Sequence, residues 1–246
     1  MKYWTLVPAA LLIAAGVLLA RLPAAVIKHF VPPFVQLGDL SGSIWHGVAG
    51  RVAIGGSNAG AVEWRLHPLD LIRGTADVDA HWVDHRISLR ANARIRPGGL
   101  SADAIRGTVP ITDLAAFGVA PGWRGTAHLD LSHLKTDYTR IETIEGSLRL
   151  SQLSSSLIAG GAPLGDYLVR FDGGAALRAR VRDTGGPLRL RATATIDSSA
   201  GRGTISGTLR ARTGAAPALA SVVDQMAQLR GRDATGAVPV DLEFTY

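Results

Sequence analysis

The chain has no cysteine, two methionines and only 6% aromatic residues across 246 positions. Without cysteine there is no disulfide, no thiolate nucleophile and no thiolate metal ligand. The scarcity of aromatics removes the stacking platforms that nucleic acids use, so no nucleic-acid partner is expected. Nucleotide fingerprints are missing too. "GVAGRVAIGG" has neither the Walker lysine pattern nor the G-x-G-x-x-G spacing, and its glycines read as turns or bulges. "SQLSSSLIAGG" offers serines without a G-x-S-x-G elbow. There is no HExxH and no calcium loop, and the seven histidines are scattered. These absences point away from an enzyme, a cofactor or a metal centre.

Glycine is plentiful at 29 residues, with 12 prolines and a formal charge of +6. The arginines recur at every second position in stretches such as "RVR" and "RLRA", which places them on one face of a strand. A solvated strand face is the first reading of that pattern. A surface for lipid headgroups or an acidic partner is the alternative.

Period-two alternation dominates the chain. "TADVDAHWV" sets Val78, Ala80 and Trp82 on one parity and Asp77, Asp79 and His81 on the other. "RISLRANARI" aligns Ile87, Leu89, Ala91, Ala93 and Ile95. "GTAHLDLS", "IETIEGSLRL", "AALRARV", "PLRLRATATI" and "GRGTISGTLRA" follow the same rule. About ten strands are expected, with turns at Gly98-Gly99, Gly173-Gly174 and Gly185-Gly186. Two short helices interrupt them, around Asp113–Phe117 and Ala218–Arg230, the second stopped by Gly231. "DVDAHWVDH" comes nearest to an active site, with two acids and a histidine on one parity. A solvated strand face explains it, and metal or acid–base work is the rival reading.

The N-terminus reads differently. Tyr3–Ala20 is uncharged between Lys2 and Arg21, and as a helix it would rise about 27 Å, close to a bilayer core. An uncleaved transmembrane helix is expected, with a cleaved signal peptide as its rival. The charge flanks favour a large region across the membrane, outside the cytoplasm. This divides the chain into an anchor over 1–21, a membrane-proximal linker over 22–36 and an extracytoplasmic β-rich domain over 37–246.

The stretch "LSGSIWHGVAGRVAIGGSNAGAVEWRLHP" opens the sheet. Trp45 and Trp64 within it, with Trp82 further on, are candidate structural or interface anchors, since indole supplies large apolar area and one donor. "LSGSIWHGVAG" followed by "VEWRLHPLDLIRG" resembles the N-terminal signature of the type II secretion system protein N family. The matching positions are Leu40, Ser41, Gly42, Ile44, Trp45 and Gly47, then Trp64, Leu66, Pro68 and Leu71. Weaker agreement runs through "IRGTVPITDLAAFG", "GTAHLDLSHL" and "ISGTLRA".

The resemblance implies a mainly β fold: a curved, largely antiparallel repeated β-sheet domain with short helices, after one N-terminal transmembrane helix. It also implies a non-enzymatic, single-pass component of the cell inner membrane, with the large domain over 37–246 in the periplasm, that supports export of folded proteins across the outer membrane. Its partners would be other type II secretion system components and the inner membrane. The alternative is a periplasmic lipid-binding or lipid-transfer module with an apolar groove, which makes lipid a possible partner.

Overall fold

Alternating residues organise the chain from Val35 to Thr245 as strands joined in sequence order. The computed structural model describes residues 21–29, 31, 35–54, 56–71, 74–83, 87–117, 119, 121–174, 177–197 and 201–245. The first six strands are β1 Val35–Gly42, β2 His46–Ile54, β3 Ser57–His67, β4 Ala76–Val83, β5 Ser88–Arg96 and β6 Gly99–Pro110. Then come β7 Trp123–Thr136, β8 Ile141–Ser155, β9 Pro163–Asp172 and β10 Leu177–Gly185. The last three are β11 Leu188–Asp197, β12 Arg202–Ala211 and β13 Val238–Thr245. They form one 13-stranded sheet in which each strand pairs with the next. All the pairings are antiparallel.

Two expectations are corrected here. The curved, repeated sheet is instead one continuous meander, open at both edges and not strongly curved. Hairpins place each strand beside its predecessor, so the chain extends one sheet instead of stacking modules, and β1 and β13 do not pair to close it. The single transmembrane helix is also corrected, because no helix among the described residues is long and apolar enough to cross a membrane. Tyr3–Ala20, on which that expectation rested, lies outside the described residues. The single-pass inner-membrane placement with a periplasmic domain loses its support with it.

The strand count of 13 exceeds the expected ten, and in β6 a bulge interrupts the alternation. In β6 the buried residues are Ala102, Ile105 and Val109, a change of parity across Ala104. Ala104 has φ 54°, and the β5–β6 register shifts between Arg90 and Asn92. An extra residue turns every following side chain to the other face. A period-two reading cannot follow that switch.

Strand ends meet at one rim of the sheet. Ile111 follows β6, Ala127 lies early in β7 and Leu153 late in β8, while Leu164, Leu188 and Val238 open β9, β11 and β13. All belong to one buried cluster with Leu219 and Val223 of the helix Pro217–Arg230. That helix starts on Pro217 and ends at Gly231, whose φ of 77° suits glycine and whose N–H returns to the carbonyl of Ala227. Its apolar side seals the rim, with Leu219 and Val223 each 1% exposed. The other expected helix is a 3-10 helix over Ile111–Phe117.

The opposite edge is organised by Trp64. Gly47 faces Trp64 across β2 and β3, and the indole covers it so closely that an added Cβ would fall 2.3 Å from a ring carbon. Trp64 is 5% exposed, and its Nε1–H donates to the carbonyl of Ile44 at 2.9 Å. The ring therefore clamps the β1–β2 turn to β3. Ala24, in the 3-10 helix Ala24–His29, joins Ala49, Val52, Val62 and Trp64 in a second buried cluster. We expect Trp64→Ala to cost about 3–5 kcal/mol and Gly47→Ala about 1–3 kcal/mol by overpacking. Denaturant unfolding of each variant checks both values, and a Gly47→Ala midpoint equal to wild type refutes the clamp.

Candidate functional site

The acid–histidine stretch lies on β4, where cross-strand register determines what it can do. The Arg94 guanidinium donates to both Asp77 carboxylate oxygens, at 2.7 and 2.6 Å. The Asn92 amide donates to Asp79 at 2.8 Å, and Arg90 Nε donates to His81 Nε2 at 3.3 Å. Each pair sits opposite in register between β4 and β5. On the β3 side, His67 Nε2 approaches Asp79 at 3.7 Å. His133 of β7 stands 2.7 Å from Asp103 of β6. Asp77, Asp79 and His81 are thus each engaged across the sheet, and none is left to work as a free acid or base.

Asp77, Asp79, Asn92, Arg94, Asp103 and His67 supply the polar lining of a shallow cavity of about 240 Å³. Charged and amide groups make it unlike the apolar groove that an acyl chain needs. Among the described residues no group of three or more His, Asp or Glu side chains is placed to hold a metal ion. His85, the second histidine of the stretch, lies outside the described residues.

Trp45, Trp64 and Trp82 share one end of the sheet but not one role. Trp64 is buried as described. Trp82 is half-buried on the same face and packs against the Trp64 cluster. Trp45, also half-buried, sits in the β1–β2 turn, where its carbonyl accepts from the Leu66 N–H at 2.7 Å. The matched signature residues Ile44, Gly47 and Trp64 therefore form one tertiary contact.

Other polar contacts were missed from the sequence. Asp183 pairs with Arg212 and also accepts from the Leu190 N–H at 3.1 Å. Asp183 leaves only 9% of its side chain exposed. Beside it, burial pushes the Tyr167 hydroxyl up to about 12, with the negative charge of Asp183 adding to the effect. That hydroxyl donates to the carbonyl of Leu164 at 2.8 Å, so Tyr167 is a neutral donor within the rim cluster. Two turns repeat a D-x-T device. Asp137 accepts from Thr139 and Arg140, Asp233 accepts from Thr235 and Ala237, and both carboxyls are held below their usual range. The repeat "DYT" and "DAT" was a visible cue for these turns.

The β4–β5 ladder has a pH signature. The Arg94 hydrogen bonds hold the Asp77 carboxyl below its ordinary value of 3.8, against a smaller opposing effect of burial. A depressed folded pKa contributes stability above the unfolded pKa and loses it as pH falls through the folded one. Asp77→Asn is therefore expected to lower the melting temperature at neutral pH, and the gap from wild type should narrow below pH 3.8. Thermal scans across that range check the sign, and a constant gap refutes it.

Comparison with protein families matches the model described as type II secretion system (T2SS), protein N, over residues 33–241. Comparisons with curated proteins and with solved structures give no match. The matched span opens just before β1 and ends within β13, so it takes in the sheet, the rim helix and the tryptophan clamp. The chain belongs to the type II secretion system protein N family.

Proposed function

We propose that this chain is a non-enzymatic component of the type II secretion apparatus and supports export of folded proteins through protein–protein contacts. Membership of the family implies association with other components of that system. One observation carries the reading: the family match spans nearly the whole meander. The matched unit is then the extended sheet itself, a long rigid surface with two open edges. Trp45 in the β1–β2 turn and Trp82 on β4, both half-buried, are its candidate interface anchors, and Trp64 holds the strands that present them.

Deleting the gene while retaining the other components is expected to reduce export of folded substrates, and the full chain supplied in trans should restore it. Cross-linking followed by affinity purification of the apparatus should recover the chain in the assembled complex. Normal export at full demand, with unchanged complex composition, overturns the assignment.

A further inference from the structure

From β4 to β7, cross-strand register sets arginine against a carboxylate at Arg94–Asp77 and Arg106–Asp130. One facing arginine pair, Arg90–Arg106, also occurs there, with Arg106 held by Asp130 and Arg90 donating to His81. From β9 to β12, arginine is set directly against arginine. Arg170 faces Arg180, Arg182 faces Arg191 and Arg189 faces Arg210. Directly opposed residues on antiparallel strands point to the same face, as do residues two apart on one strand. The pairs therefore form one patch, and every arginine in it is exposed.

Like charges placed directly opposite destabilise a sheet. Some are offset: Arg180 reaches Asp172 at 2.5 Å, and Arg210 donates to the carbonyl of Thr235 at 3.0 Å. Among the described residues, Arg170, Arg182, Arg189 and Arg191 have no such partner. Leu168 lies on this same face between Arg149 and Arg182 in register, yet it is only 8% exposed. Long arginine side chains can cover apolar surface with their stems while their guanidinium ends stay in water.

We infer that the arginine face of β9–β12 docks an extended acidic segment of a partner protein, one that presents carboxylates at alternate positions. The inference rests on the apparatus reading for the partner's identity, and on the patch alone for its chemistry. Arginines two apart on a strand repeat at about 6.8 Å, the same spacing as alternate side chains of an extended peptide. Facing guanidiniums lie about 5 Å apart at their Cβ atoms, within reach of one carboxylate. The guanidinium fork binds carboxylates bidentately, which an ammonium cannot do. Tyr167 and Phe171, the aromatics of β9, have the opposite parity to Arg170, so the patch lacks stacking rings for nucleic acid. Leu168 is buried and does not offer membrane insertion.

The test uses the purified full chain and a fluorescent decapeptide of alternating glutamate and serine, read by anisotropy at low and moderate salt. Arg182→Gln/Arg191→Gln is expected to weaken binding by roughly ten-fold or more and to flatten its salt dependence. Arg182→Lys/Arg191→Lys keeps the charge without the fork and should still lose about three-fold. Arg51→Gln, at the far edge, should bind as wild type does. Because the glutamine variant removes a facing like-charge pair, its melting temperature should equal or exceed wild type. Equal peptide affinity in wild type and the glutamine variant overturns the inference, as does an affinity loss that tracks a falling melting temperature. Binding to phosphatidylglycerol vesicles but not to the peptide assigns the face to lipid headgroups and likewise overturns it. If peptide binding is lost while export continues normally in cells carrying the glutamine variant, the ligand chemistry stands and the assignment of the acidic partner to the export apparatus is overturned.

Discussion

Nearest-neighbour antiparallel pairing is the constraint on which the rest of the molecule depends. Each strand hydrogen-bonds to the strand before it and the strand after it, so no long crossover is needed to assemble the sheet. Backbone donors and acceptors are satisfied locally along the meander, at the cost of leaving β1 and β13 as open edges. The hydrophobic core is consequently distributed. One cluster lies under the Ala24–His29 helix, one in the middle strands and one at the rim sealed by Pro217–Arg230. Leu129 packs against both the middle and the rim clusters, which ties the two together.

A sheet of this kind has two faces with separate duties. The apolar parity builds the clusters, and the polar parity is free to differ along the sheet without disturbing them. Between β4 and β5 the polar parity is a ladder of an ion pair, an amide bond and an arginine–histidine bond, Arg94–Asp77, Asn92–Asp79 and Arg90–His81. From β9 to β12 it carries facing arginines, an arrangement that stability alone does not favour.

The family signature acquires a physical meaning from the same architecture. Gly47 is required by the indole of Trp64, and that indole is held by the carbonyl of Ile44 in the adjoining turn. The conjunction of an isoleucine, a glycine and a tryptophan twenty residues from the isoleucine is one contact, not three separate preferences. It fixes the first hairpin against β3, and with it the register from which the following strands propagate.

Local pattern determined a great deal of this protein. Alternation in "DVDAHWV" and "SLRANARI" placed β4 and β5, the paired glycines marked hairpin turns, and the 3.6-residue spacing of Leu219, Val223 and Met226 with Gly231 beyond them delimited the rim helix. The solvated reading of Asp77, Asp79 and His81 was available from parity, because side chains on one strand face alternate with the backbone. Register belonged to the tertiary structure. A bulge at Ala104 changed which residues of β6 face the core, and only strand pairing set Arg182 against Arg191 or brought Asp183 to Arg212. Parity within a strand is a short-range property of the chain. The partner across the ladder is decided by turns, bulges and packing many residues away, and there the matched ladder and the arginine patch diverge.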